Sequence, residues 1–163
     1  MTTVGIDLGI HKIALFCVTR GHEDAWAYQA TSPLRDEQLA ELGAMAHDFA
    51  LMHEAEWVWI EDTIIGNNRK YSIGLAETKG AVMSDLSQLR HQQGLDVRLV
   101  DNKVWKKEVL GHGNASKVEV RDYIQDTHPD YAPLCGEDED LYDACAIGLY
   151  GDLVLDRARD LQL

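Results

Sequence analysis

Four acidic side chains stand where acids are either costly or grouped, and together they point to one kind of chemistry. Asp7 lies between Ile6 and Leu8 in an apolar run. An ionised carboxylate there is unfavourable unless a cation or full hydrogen bonding offsets its desolvation. Glu61 closes the apolar run Trp57-Val58-Trp59-Ile60 in the same way. Asp140 and Asp143 are three residues apart, so on a helix they share one face about a turn apart. They precede the apolar stretch 144–150, which turns that face toward the body of the protein. Clustered carboxylate oxygens suit Mg²⁺ or Mn²⁺. Two such ions, ~4 Å apart, can activate a water on one side of a phosphodiester and steady the leaving oxygen on the other. Asp62 is a rival to Glu61, and Asp138 and Glu139 are rivals within the acidic run 137–143. Acids at a helix N-terminus also simply complement its dipole.

The net charge of −13 opposes binding to a polyanion, but it is unevenly spread. Between Arg98 and Arg121 six basic residues (Arg98, Lys103, Lys106, Lys107, Lys117, Arg121) outnumber three acids (Asp101, Glu108, Glu119). Gly111 and Gly113 within this segment let backbone N–H groups approach a phosphate, and a helix starting near Ala115 points its positive end there. Lys106, Lys107 and Lys117, with Asn114 in the same loop, are the expected phosphate contacts.

The elements that must position these groups follow from periodicity and turn residues. Residues 3–20 read as two strands joined by a tight turn at Gly9 to His11, and 24–30 as a third strand. A helix runs from Pro33 to about His53, followed by a strand over 56–62. A second long helix covers 70–93, with Ile73, Ala76, Gly80, Val82 or Met83, and Leu86 along one side. Gly94 ends it, and 96–100 forms a fifth strand. Residues from 102 are helical up to the glycine loop at 111–114, and Ala115 to about Gln125 forms a further helix. Pro129, Pro133 and Gly136 mark an irregular loop before a final amphipathic helix over 139–158. A three-strand meander followed by alternating helices and strands is an α/β fold with a mixed sheet. Without repeat or linker, residues 1–163 are expected to form one domain.

These segments resemble the RuvC-type Holliday-junction resolvases, a ribonuclease H-like group, over almost the whole chain. The stretch 5-GIDLG-9 is similar to that family's first strand, 60-IEDTIIGNNRKYSIGLAETKGAV-82 to its second-acid strand and long helix, and 140-DLYDACAIGLY-150 to its closing helix. The stretch 103-KVWKKEVLGHGNASKVEV-120 resembles its basic glycine signature. The resemblance implies a ribonuclease H-like five-stranded mixed sheet flanked by helices. It also implies two Mg²⁺ or Mn²⁺ ions held by Asp7, Glu61, Asp140 and Asp143, and DNA contacts from Lys106 and Lys117. The family often carries a base-stacking aromatic shortly after its second acid; here that position is Ile64, so the expectation is either that Tyr71 takes over stacking or that the protein opens junctions less. The long helix resembles the family's dimer interface, which implies a homodimer presenting two sites to a branched DNA.

The implied activity is cleavage of four-way junctions, forks or flaps, leaving 5′-phosphate and 3′-hydroxyl ends. Two other readings compete. One is a catalytically silent DNA-binding module of the same fold. The other is a fragment of an actin-like ATPase, whose first strand and turn are similar to GIDLG. No organic cofactor is expected. The first eighteen residues lack a basic region and carry Asp7, unlike a secretory leader. No apolar run reaches the ~20 residues that span a bilayer. Cys17, Cys135 and Cys145, odd in number and without a C-x-x-C pair, suit reduced thiols, so a cytoplasmic location is expected.

Overall fold

In the computed structural model, residues 1–62 and 68–161 are described; Ile64 lies outside them. Eleven elements follow in chain order among the described residues. Strands β1 (Thr3–Leu8), β2 (Lys12–Cys17) and β3 (Asp24–Gln29) precede helix α1 (Arg35–Met52) and strand β4 (Trp57–Asp62). Helix α2 (Arg69–Gln93) leads to strand β5 (Asp96–Asp101), then α3 (Asn102–Leu110), α4 (Lys117–Thr127), a one-turn α5 (Ala132–Cys135) and α6 (Glu139–Asp160). The sheet order is β3-β2-β1-β4-β5. The first three strands pair antiparallel as a meander, while β1 with β4 and β4 with β5 pair parallel. This is the expected mixed five-stranded sheet flanked by helices.

Strand alternation divides the molecule into two cores. Val4, Ile6 and Leu8 of β1, Ile13 and Leu15 of β2, and Val58 and Ile60 of β4 pack against α1 and α2. Ala14, Phe16 and Trp59 face the other way, into a second core built with α3, α4 and α6. Because side chains alternate, Gly5 and Asp7 share the α6 face of β1, and Trp59 and Glu61 share that face of β4. Gly5 is needed for this packing. A β-carbon there would collide with the Ala144 carbonyl and the Gly148 backbone, so only glycine lets α6 lie directly on β1.

Three details differ from the sequence expectation. The buried stripe of α2 is Ser72, Leu75, Thr78, Val82, Leu86 and Leu89, whereas Ile73, Ala76 and Gly80 face outward. The expected stripe mixed the two faces, because small and apolar residues lie on both sides of this helix. Helix α4 begins two residues later than Ala115. Ser116 caps it, accepting from the Glu119 N–H while Glu119 bonds back to the Ser116 amide. That Ser-x-x-Glu pattern was a readable start signal. The proline-containing loop also holds the single turn of α5, with Pro133 in its first positions.

Candidate active site

The parallel register brings two acids out of the sheet side by side. Ile6 of β1 pairs with Ile60 of β4, so the following residues, Asp7 and Glu61, leave neighbouring strands at the same carboxyl edge. The start of α6 lies across that edge. Asp138 caps α6, its carboxylate accepting from the Asp140 N–H at 2.9 Å, which leaves Asp140 and Asp143 on the turn facing the strands. One carboxylate oxygen each from Asp7, Asp140 and Asp143 lie within 4.8 Å of one another. Glu61 lines the same cavity, of about 730 Å³. Its Oε2 accepts from Trp105 Nε1 at 2.9 Å and Asn102 Nδ2 at 2.8 Å. Its rival Asp62 lines the cavity too, but the Asp62 carboxylate accepts from Lys79 of α2 at 2.5 Å.

The electrostatics of the cluster are those of a site short of positive charge. Burial, then the charges of Asp143, Glu61 and Asp140, push the Asp7 carboxyl from 3.8 up to about 8, with Lys117 opposing. Burial likewise raises Asp143, against the pull of Lys117. Burial acts on Asp140 in the same sense, but hydrogen bonds from Lys117 and Lys12 outweigh it and hold that carboxyl below its usual range. Lys117 loses solvation through burial, yet its bond to Asp140 and the charges of Asp143 and Asp7 leave it more firmly protonated than an ordinary lysine.

The donor set fits a divalent cation. Asp143 Oδ1 is buried and has no hydrogen-bond partner among the described residues, although a buried polar oxygen is ordinarily satisfied. An unpaired anionic oxygen beside two further carboxylates is what a hard, oxygen-seeking cation requires.

The expected cationic residues divide into two groups. Lys106 and Lys117 line the cavity, as does Tyr71, half-exposed at the start of α2. Lys106 Nζ lies 5.2 Å from the centre of the Trp105 ring, and Lys117 Nζ lies 3.2 Å from Asp143 Oδ2. The other group is outside the cavity wall. Lys107 is exposed on α3, and its carbonyl accepts from the Gly111 amide at 2.9 Å. Gly111, at φ 92°, thus closes α3, and its N–H is consumed by the helix. Gly113 packs over the Lys103 carbonyl, and Asn114 is exposed.

Sequence reasoning did not single out Lys12, Lys103 and Asn102 on the cavity wall, or Trp105 as the group fixing Glu61. For Trp105 a signal existed: a tryptophan inside a lysine-rich helix has little reason to be there unless it is buried. Cys17, Cys135 and Cys145 are free and buried. Among the described residues, no helix is long and apolar enough to cross a membrane.

No family model and no curated protein sequence matches the chain. Solved structures do. Thermus thermophilus RuvC superposes with a TM-score of 0.74 at 22% identity, covering 97% of each chain. T. thermophilus RuvC in complex with a Holliday junction substrate gives 0.71 at 22% identity over 92% of each chain. The yeast mitochondrial Holliday junction resolvase Ydc2 gives 0.60 at 12% identity, covering 90% of this chain and 75% of that one. With its meander, its parallel β1-β4-β5 half and α6 laid across β1, the chain has the ribonuclease H-like fold of RuvC.

Proposed function

We propose that the protein is a metal-dependent, structure-selective endonuclease of the RuvC type. It hydrolyses phosphodiester bonds in branched DNA, four-way junctions foremost and then forks and flaps, leaving 5′-phosphate and 3′-hydroxyl ends. The observation that carries this reading is the convergence of Asp7, Asp140 and Asp143 within 4.8 Å, with an unpartnered Asp143 oxygen, in a cavity walled by lysines. The junction-bound RuvC structure, similar over 92% of the chain, supports the choice of branched DNA.

Asp7, Asp140 and Asp143 would hold Mg²⁺ or Mn²⁺, two ions per site, with Glu61 beside them. Bound there, such ions supply Lewis-acid charge that makes a water nucleophilic at neutral pH and steadies the departing 3′-oxygen. Trp105 and Asn102 fix the Glu61 carboxylate by two hydrogen bonds to one oxygen, Oε2, leaving Oε1 as the atom that would be offered to a cation. Lys106 and Lys117 bind phosphates on either side of the scissile bond, and the half-exposed Tyr71 ring offers a stacking surface for an unpaired base. Because the chain is acidic overall, affinity rests on these few lysines and is weak at high salt. The outward face of α2, with Ile73, Ala76 and Gly80, is the surface of a two-fold dimer that acts on opposed strands of a junction in the cytoplasm.

Synthetic junction, flap and duplex DNA incubated with Mg²⁺, Mn²⁺ or EDTA test the reading directly. Cation-dependent nicks at the branch point are expected. Asp143→Asn is expected to fold and bind the junction but not cut it. Cleavage in EDTA, or undiminished cleavage by Asp143→Asn, would refute the reading.

A further inference from the structure

The Asp140 carboxylate is gripped from both sides, and one of the two ammonium groups has no part in the reading above. Lys117 donates to Oδ1 and Lys12 to Oδ2. The position of Lys12 is built. Its carbonyl accepts from the Gly9 N–H at 2.8 Å, closing the β1–β2 turn. Its stem crosses the α-carbon of Gly9, where a β-carbon would lie only 2.8 Å from Lys12 Cγ. The turn is also clamped from outside. The Ile10 carbonyl accepts from Arg35 Nη1 at 2.7 Å and from Thr78 Oγ1 at 3.1 Å. The same guanidinium donates to the Gly74 carbonyl at 2.7 Å and to Thr78 Oγ1 at 3.1 Å. Residues of α1 and α2 thus fix the turn that delivers Lys12 to the cavity.

Both oxygens of Asp140 therefore already accept from cationic nitrogens, and a divalent cation ligated by either oxygen is brought close to an ammonium group that repels it. The two lysines are not equal in this respect. Lys117 is also paired with Asp143 at 3.2 Å, and its side chain is 44% exposed. Lys12 has Asp140 as its only ion-pair partner among the described residues, and 55% of its side chain reaches solvent on the cavity wall. Lys12 is the one with less to lose by leaving.

We propose that Lys12 is an exchange residue: it neutralises Asp140 in the cation-free site, then yields that oxygen and moves its ammonium onto a phosphate oxygen of the DNA strand in the cavity. The inference rests on the nuclease reading. It makes Lys12 a competitor of the cation before DNA binds and a substrate contact afterwards, so the two ligands are linked through one side chain. It also gives the glycine after Asp-Leu a task, since any larger residue at position 9 would block the path of the lysine stem.

Two titrations on the full chain test this, with Lys12→Met and Lys12→Gln, which keep a stem over Gly9 but remove the charge. In calorimetric titration with Mn²⁺ and no DNA, both variants are expected to bind about thirtyfold more tightly than the unaltered chain, the effect of removing one unit charge ~4 Å from a divalent ion in a water-like medium. In junction binding with Ca²⁺ at increasing NaCl, the slope of log affinity against log salt is expected to fall by about one, as for one lost phosphate contact. Lys12→Arg is expected to retain the slope. A Mn²⁺ affinity or a salt slope left unchanged in both neutral variants overturns the exchange. If the unaltered chain binds neither Mn²⁺ nor the junction, the nuclease reading itself falls, so the two failures are distinguishable.

Discussion

Replacing Gly5 by alanine should damage the site without touching any group that does chemistry. The added β-carbon points at α6, and the atoms it meets are backbone: the Ala144 carbonyl and the amide and α-carbon of Gly148, the last at 2.9 Å. No rotamer change relieves a backbone clash, so α6 must retreat from β1 by about 1 Å in a close-packed interior. Overpacking of this kind costs ~1–3 kcal/mol, which for a chain of this size lowers the midpoint of thermal unfolding by roughly 3–10 °C. The retreat also carries Asp140 and Asp143, on the same helix, away from Asp7. The shared space within 4.8 Å opens, and cation affinity falls with it. Urea unfolding in EDTA and again in Mn²⁺ separates the two effects. Gly5→Ala should unfold at lower urea in EDTA, and the extra stability conferred by Mn²⁺, which grows with the logarithm of concentration over Kd, should shrink. If the variant unfolds with the unaltered chain and gains as much from Mn²⁺, glycine is not what seats α6 on β1.

Two further outcomes follow from the same geometry. Asp7 is held at about 8 rather than 3.8, so the fold favours its protonated form. Cation-free stability is then complete below the unfolded value, drains as pH rises through about 8, and is level beyond, a loss of roughly 6 kcal/mol at ~1.36 kcal/mol per unit. Asp7→Asn should flatten that slope in EDTA between pH 5 and 9; parallel curves for the two proteins would contradict it. On the outward face of α2, Ile73 is 49% exposed. Ile73→Glu should convert the proposed dimer to monomer in light scattering and make the unfolding midpoint independent of protein concentration, and an unaltered mass would remove this face from the proposed interface.

Most of the fold was legible because its signals are local. Alternation marked the strands, Gly94 and the prolines marked ends, and the meander followed by helix-separated strands specified a mixed sheet. The faces of α2 were not legible, because Ile73, Ala76 and Gly80 read as core yet lie outside. Such a helix carries more apolar residues than one buried stripe needs, and its sequence does not say which side meets the sheet. The acids were legible one at a time, as carboxylates in runs where burial would be costly.

Their grouping was implied by the resemblance of separate segments to one family, while the contacts they make were a matter for tertiary structure. Alternation carries Glu61 to the α6 face and leaves Asp62 to Lys79, but which face becomes the site depends on where α6 docks, and that depends on the gap at Gly5. Lys12 and Asp140 are 128 positions apart, and Trp105 and Glu61 are 44 apart; no local pattern records either pairing. The sequence by itself determined which residues are apolar, which are charged and where the chain turns, since those are properties of short segments. Only the assembled sheet with α6 across it decided which charges meet, because a contact between distant segments is set by how whole elements pack.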